Sequence, residues 1–132
     1  MGHENRLTDN DEQLLRQLSP QWKHGDRITS QLFKPTKKDE GLLSTDRASR
    51  VSAQDSFDAH IALGFRSDGV YGVTVGEVSD GAGVTAHDDP RPPEKPHHAF
   101  IAMDGLTRGE VDAAAGLLRD CAVARGLLHT PA

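Results

Sequence analysis

The chain is poor in the things that make several function classes easy to recognise. One cysteine, Cys121, in 132 residues excludes an internal disulfide and any cysteine-rich zinc module. Aromatic residues make up 5% and apolar residues 36%, so the core must be modest. No apolar run approaches the ~18–20 residues of a bilayer span, and Met1-Gly2-His3-Glu4-Asn5-Arg6 has no apolar leader segment. The expectation is a soluble, cytoplasmic protein without a membrane partner. Basic charge is also short: 15 Lys and Arg stand against 20 Asp and Glu, a net charge of −5. Non-specific nucleic-acid binding draws on Lys and Arg that neutralise phosphates, and this balance argues against it. There is no Gly-x-Ser-x-Gly elbow, no His-Glu-x-x-His, and no strand-to-helix glycine loop for phosphate.

The charge that is there is unevenly spread. Residues 1–20 carry 2 basic and 4 acidic groups, residues 21–50 carry 7 and 4, and residues 51–132 carry 6 and 12. A basic middle segment on an acidic body marks residues 21–50, where apolar periodicity also fades. Loops beyond ~12–15 residues inside a compact domain are usually functional or disordered.

Residues 1–132 read as one α+β domain, with residues 1–7 and 129–132 frayed. A first helix is expected from Thr8, with Leu14, Leu15 and Leu18 as its stripe and Ser19-Pro20 as its stop. Thr29–Lys34 reads as a short strand closed by Pro35. Ser52-x-x-Asp55 caps a helix over 53–63, with Ala53, Phe57 and Ile61 on one face and Gly64 at its end. Val70–Val78 reads as a strand whose Gly72, Thr74 and Gly76 face admits a close neighbour. Asp80-Gly81 suits a hairpin into a weak strand at 82–86. After a loop with Pro90, Pro92, Pro93 and Pro96, His97–Met103 reads as a strand. Thr107-x-x-Glu110 opens a last helix with Val111, Ala114, Ala115, Leu118, Cys121 and Ala122 facing inward, closed by Gly126. The expected architecture is a small antiparallel sheet of three or four strands packed by two or three helices. Such a sheet leaves an edge open to a partner strand or to a dimer, with an extra strand from the irregular segment as its other cover.

Within the basic segment, Lys34, Lys37, Lys38 and Arg47 offer point-charge and forked donors to an anion, with hydroxyls from Ser30, Ser44 and Thr45, beside Asp39 and Glu40. Trp22 next to Lys23 and His24 can stack on a ring, although a lone tryptophan more often anchors a core. The plainer reading of the segment is a solvated loop with weak salt bridges. The run Ser-Gln-x-Phe-x-Pro-x-x-Lys-Asp-Glu-Gly-x-Leu-Ser at 30–44 resembles a stretch from a group of small bacterial proteins of unassigned function. That resemblance extends through Gly69–Glu77 and Pro-His-His-Ala at 96–99 to the last helix. It implies a bacterial single-domain protein whose basic segment belongs to the fold, and it carries no catalytic residue over.

Histidines supply the other candidates. His87 with Asp89 and either His97 or His98 makes a conceivable zinc or iron(II) shell, although adjacent His97 and His98 point to opposite sheet faces. His60 is a candidate general base, and Cys121 reads as a buried, inert thiol. The leading expectation is a non-enzymatic binding module, without cofactor, that contacts a protein partner or an anionic ligand through residues 23–47. The alternative is a small hydrolase or transferase acting on a nucleotide or phosphoester. In it, Lys34, Lys37 and Arg47 hold the phosphate, and His60 or His98 moves a proton with Asp39 or Glu40.

Overall fold

The computed structural model describes residues 3–131. Seven strands occur: β1 (Gln13–Gln17), β2 (Lys23–His24), β3 (Arg27–Ile28), β4 (Leu42–Arg47), β5 (Val70–Thr74), β6 (Thr85–Asp88) and β7 (His98–Ala102). Two longer helices, α1 (Ala53–Ala62) and α2 (Arg108–Arg125), accompany them. Five strands form one antiparallel sheet in the order β5-β1-β4-β7-β6, and β2 and β3 form a separate two-stranded ribbon. The mixed helix-and-sheet class is as expected, but the main sheet has five strands rather than three or four.

The expected first helix is strand β1. Leu14 and Leu15 are 0% and 3% exposed although neighbours in a strand point to opposite faces, so both faces of the sheet are covered. Leu14 and Leu18 join the larger core with Leu43, Val73, Ala99 and Ile101, beneath Ala115, Leu118 and Ala122 of α2. Thr29–Lys34 is not a strand either. Ser30–Phe33 makes a tight helical turn that buries Leu32 and Phe33 in this same core. The basic segment thus closes one face of the sheet and supplies its central strand, β4.

The expected hairpin at Asp80-Gly81 does not form. Thr74 and Glu77 make a reciprocal cap, with the Thr74 amide donating to Glu77 Oε1 at 2.8 Å and the Glu77 amide to Thr74 Oγ1 at 3.0 Å. A wide helical turn at Glu77–Gly81 follows and carries the chain to the far edge of the sheet. Small residues on β5 do serve close approach: a Cβ at Gly72 would lie 2.6 Å from Leu128 Cδ1 and from Gln13 Oε1.

Neither edge is left open in the way expected. Leu7 N–H donates to Ala86 O, and Asp88 N–H to Asn5 O, so the N-terminal segment lies along β6. Leu128 N–H donates to Val70 O, and Val70 N–H to His129 O, so the C-terminal segment lies along β5. Residues 5–7 and 129, expected to fray, are held by these bonds. A dimer through a bare sheet edge loses its motive, because the edge groups already have partners.

The face opposite α2 is more polar. Leu15 lies across from Asp46, Asp46 across from His98, and Ser44 across from Phe100, so these side chains share that face. α1 packs there through Ser56, which is 2% exposed, whereas Ile61 of its expected apolar stripe stays 41% exposed. If the turn Ser30–Phe33 is integral to the fold, Phe33→Ala should cost about 3–5 kcal/mol in urea unfolding. A loss below about 1 kcal/mol would show a loosely attached turn.

Candidate functional site

The cations expected to form one anionic-ligand surface are dispersed. Lys34 Nζ meets Asp112 of α2 at 2.8 Å. Arg47 forks onto Glu12 with two bonds of 2.8 Å and reaches Asp88 at 3.2 Å, and Ser49 Oγ donates to Glu12 at 2.6 Å. The Arg47 bond holds the Glu12 carboxyl below its ordinary pKa, against the opposing effect of burial. Lys37 and Lys38 are exposed and have no acidic partner within salt-bridge distance among the described residues. Between them and Glu40, Asp39 spends its carboxylate on the Thr36 amide at 2.8 Å and hydroxyl at 2.7 Å. Ser30 opens the turn that buries Phe33, and Glu40 is exposed in a left-handed conformation.

The histidines are committed as well. His87 Nδ1 donates to Glu4 O at 2.8 Å and its Nε2 accepts from Thr85 Oγ1 at 2.8 Å, while its ring stacks on Phe100. His97 lies beside His98 at the start of β7, and the described residues contain no group of three or more His, Cys, Asp or Glu arranged to hold a metal. Cys121 is half-buried rather than fully buried; burial first, then Glu77, raises its thiol pKa.

What the fold does bring together is a cleft of about 140 Å³ between α1, the polar sheet face and residues 94–98. An apolar cavity of roughly this size, 150 Å³, holds benzene. Leu15, Val51, Ala59 and Leu63 give it apolar walls, and Trp22 closes one side. Its polar groups include Arg16 of β1, Ser44 and Asp46 of β4, Ser56 and His60 of α1, His98 of β7, and Glu94 and Lys95 of the loop before β7. Of the residues singled out in the sequence, Trp22, Ser44, Thr45, His60, His97 and His98 line it; Ser30, Lys34, Lys37, Lys38, Asp39, Glu40 and Arg47 do not.

Two groups of hydrogen bonds set the floor. Gln17 Nε2 donates to Ser56 Oγ at 3.0 Å, and Ser56 Oγ donates to Asp46 Oδ2 at 2.7 Å, which fastens α1 to the sheet. His98 Nδ1 lies 3.0 Å from Asp89 O and 3.1 Å from Asp89 Oδ2, and its Nε2 lies 3.0 Å from Ser44 Oγ. A carbonyl only accepts, so Nδ1 carries the proton and Nε2 takes the Ser44 hydroxyl hydrogen.

Arg16, which the helix reading hid, is the unusual member. Nε donates to Leu32 O at 2.8 Å, Nη1 donates to Ser44 O at 3.1 Å, and Cζ sits 5.0 Å from the Trp22 ring centroid. No carboxylate among the described residues reaches it. Burial pulls its pKa down to about 10, with Asp39 opposing from a distance. A strand alternation of Leu14, Arg16 and Leu18 would have revealed an inward charge.

His60 and His98 both have pKa values below the ordinary histidine value, chiefly because burial disfavours the charged ring. Lys95 and Arg16 add to this at His60, and Arg91 at His98, where Asp89 opposes it. The unfolded chain therefore binds protons that the fold refuses, so stability should fall as pH drops from about 6.5 toward 5. Melting temperature against pH tests this. His98→Gln should flatten the dependence, and a variant profile as steep as the wild type's would place the acid sensitivity elsewhere.

No protein-family profile, curated protein or solved structure matches the chain, and the geometry of this cleft is what its function must be read from.

Proposed function

We propose that the protein is a ligand-binding module for a small organic anion, held in the cleft between α1 and the sheet. The observation that carries this reading is Arg16, a cation in the cleft wall with no carboxylate at salt-bridge distance among the described residues, although Asp46 and Glu94 line the same cleft. Arg16 is half-buried, and a charge drawn partly out of water is ordinarily paired, because it loses hydration without compensation. Two backbone carbonyls and an indole face satisfy part of the guanidinium and leave its Nη2 without a hydrogen-bond acceptor among the described residues. A planar fork of this kind matches a carboxylate in geometry as well as charge. Trp22, Leu15 and Leu63 provide an apolar surface for the rest of a compact ligand. Asp46, one of two acids lining the cleft with Glu94, is engaged by Ser56 and so competes less for the guanidinium.

This keeps the anionic-ligand reading of the sequence but moves its anchor from residues 23–47 to Arg16, with Trp22, Ser44 and Thr45 the shared residues. The phosphoester alternative loses its proposed clamp, since Lys34 and Arg47 are paired elsewhere. Among the described residues no helix is long and apolar enough to cross a membrane.

Titration of the protein with sodium acetate, propionate and benzoate, with chloride at matched ionic strength as control, tests the proposal. Saturation at about 100 times Kd should add ~2.7 kcal/mol of stability, read as a rise in Tm of several degrees. Arg16→Met should abolish that rise. An equal rise in the variant, or none with any carboxylate in the wild type, would overturn the assignment.

A further inference from the structure

We propose that Ser44 is a nucleophile activated by His98, making the cleft an acyl-transfer site for short-chain esters. The proposal rests on the cleft being the ligand site and names what is done to the ligand there. Ser44 Oγ and His98 Nε2 are 3.0 Å apart in the cleft wall, and His98 Nδ1 is fixed from behind by the Asp89 carbonyl at 3.0 Å and carboxylate at 3.1 Å. Hydroxyl, imidazole and acceptor follow the order of the serine–histidine–acid relation, with the Asp89 main-chain carbonyl as the hydrogen-bond acceptor and its carboxylate alongside; such a relation is recognised by geometry and roles rather than by sequence position. Arg91 Nε holds the Asp89 carboxylate at 2.8 Å, so the orienting group is itself oriented. His98 is 2% exposed and Ser44 half-buried, which excludes bulk water from the pair while Ser44 still borders the cleft.

The step balances without any cofactor. Ser44 Oγ bonds to the ester carbonyl carbon as its proton passes to His98 Nε2. The carbon–oxygen bond to the alcohol then breaks, and the alcohol leaves with that proton. Water next gives a proton to Nε2 and its oxygen to the acyl carbon. The Ser44 bond breaks, the carboxylic acid departs, and the proton returns to Ser44. Ser44 lies within strand β4, whose amides belong to the sheet ladder, so charge on the carbonyl oxygen falls to side chains. Arg16, already bound through Nη1 to the Ser44 carbonyl, carries the free Nη2 for that purpose. The cleft's size restricts the acyl group to a few carbons or one small ring.

The test uses the intact chain and a neutral probe, a small alkyl fluorophosphonate, followed by intact mass and peptide mapping. Its phosphorus bonds to Ser44 Oγ, and fluoride leaves with the proton. The expected result is a single adduct on Ser44, absent from urea-unfolded protein and from Ser44→Ala. His98→Gln should slow the reaction about 100-fold or more, since general-base help contributes ~10²–10⁴. Hydrolysis of p-nitrophenyl acetate should show the same ranking. Wild-type labelling no faster than in unfolded protein, or labelling that His98→Gln leaves unchanged, would overturn the proposal. Carboxylate binding without Ser44 labelling refutes the nucleophile and leaves the binding module standing. Labelling without a carboxylate-dependent Tm rise refutes the anion anchor and leaves the nucleophile standing.

Discussion

A guanidinium partly withdrawn from water needs its donors satisfied and its charge balanced, and within the fold Arg16 meets the first demand only in part and has no carboxylate at salt-bridge distance among the described residues. Its bond to Leu32 O ties the turn Ser30–Phe33 to the sheet, and its bond to Ser44 O ties β1 to β4. Those two contacts position a buried part of the core and the floor of the cleft. The same geometry leaves a positive charge next to a cavity. The unpaired charge beside the cleft is the physical indication that favours an anion.

The two faces of the sheet divide the work. Beneath α2, Leu14, Leu43, Ile101 and Leu118 are each fully buried, and this face supplies most of the apolar burial. Beneath α1 the contacts are Gln17–Ser56–Asp46 and a partly buried Phe57 lying 4.8 Å from the His129 ring. An element with few buried apolar contacts opens locally at lower free energy than one seated in the core. α1, which has fewer buried apolar residues than α2, also forms one wall of the cleft. His60 on that wall and His98 on the sheet both have their charged forms disfavoured by burial.

Elements with local signals were legible. Both capped helices were read close to their observed ends, Thr107-x-x-Glu110 making the expected reciprocal bonds, and β7 falls inside the expected strand. β1 was misread because Leu14, Leu15 and Leu18 fit a helical stripe as well as a strand covered on both sides. Pairing with β4 and β5, residues distant in sequence, decides between them. The Thr74-x-x-Glu77 spacing carried the correct local signal, a helical turn, but β-branched neighbours outweighed it. The cleft was less accessible still: Ser44 and His98 are 54 positions apart, and they meet only because Asp46 registers with His98 across β4 and β7.

Charge counted along the chain and charge placed in space give different answers, and the difference matters for the binding site. The excess of cations over residues 21–50 is drawn into pairs with the acidic remainder: Lys23 with Asp68, Lys34 with Asp112, Arg47 with Glu12 and Asp88. Several are long-range ties between elements, so the asymmetry works first as cohesion of the fold. Partly exposed pairs of this sort contribute at most ~1 kcal/mol each, although the shielded Arg47–Glu12 fork is the better ordered. Arg16 lies outside that segment, in a stretch whose net charge is negative, where counting could not draw notice to it. It becomes conspicuous only in the folded chain, where Lys37 and Lys38 of the basic segment, unpaired among the described residues, lie exposed to water while Arg16 is half-buried beside the cleft.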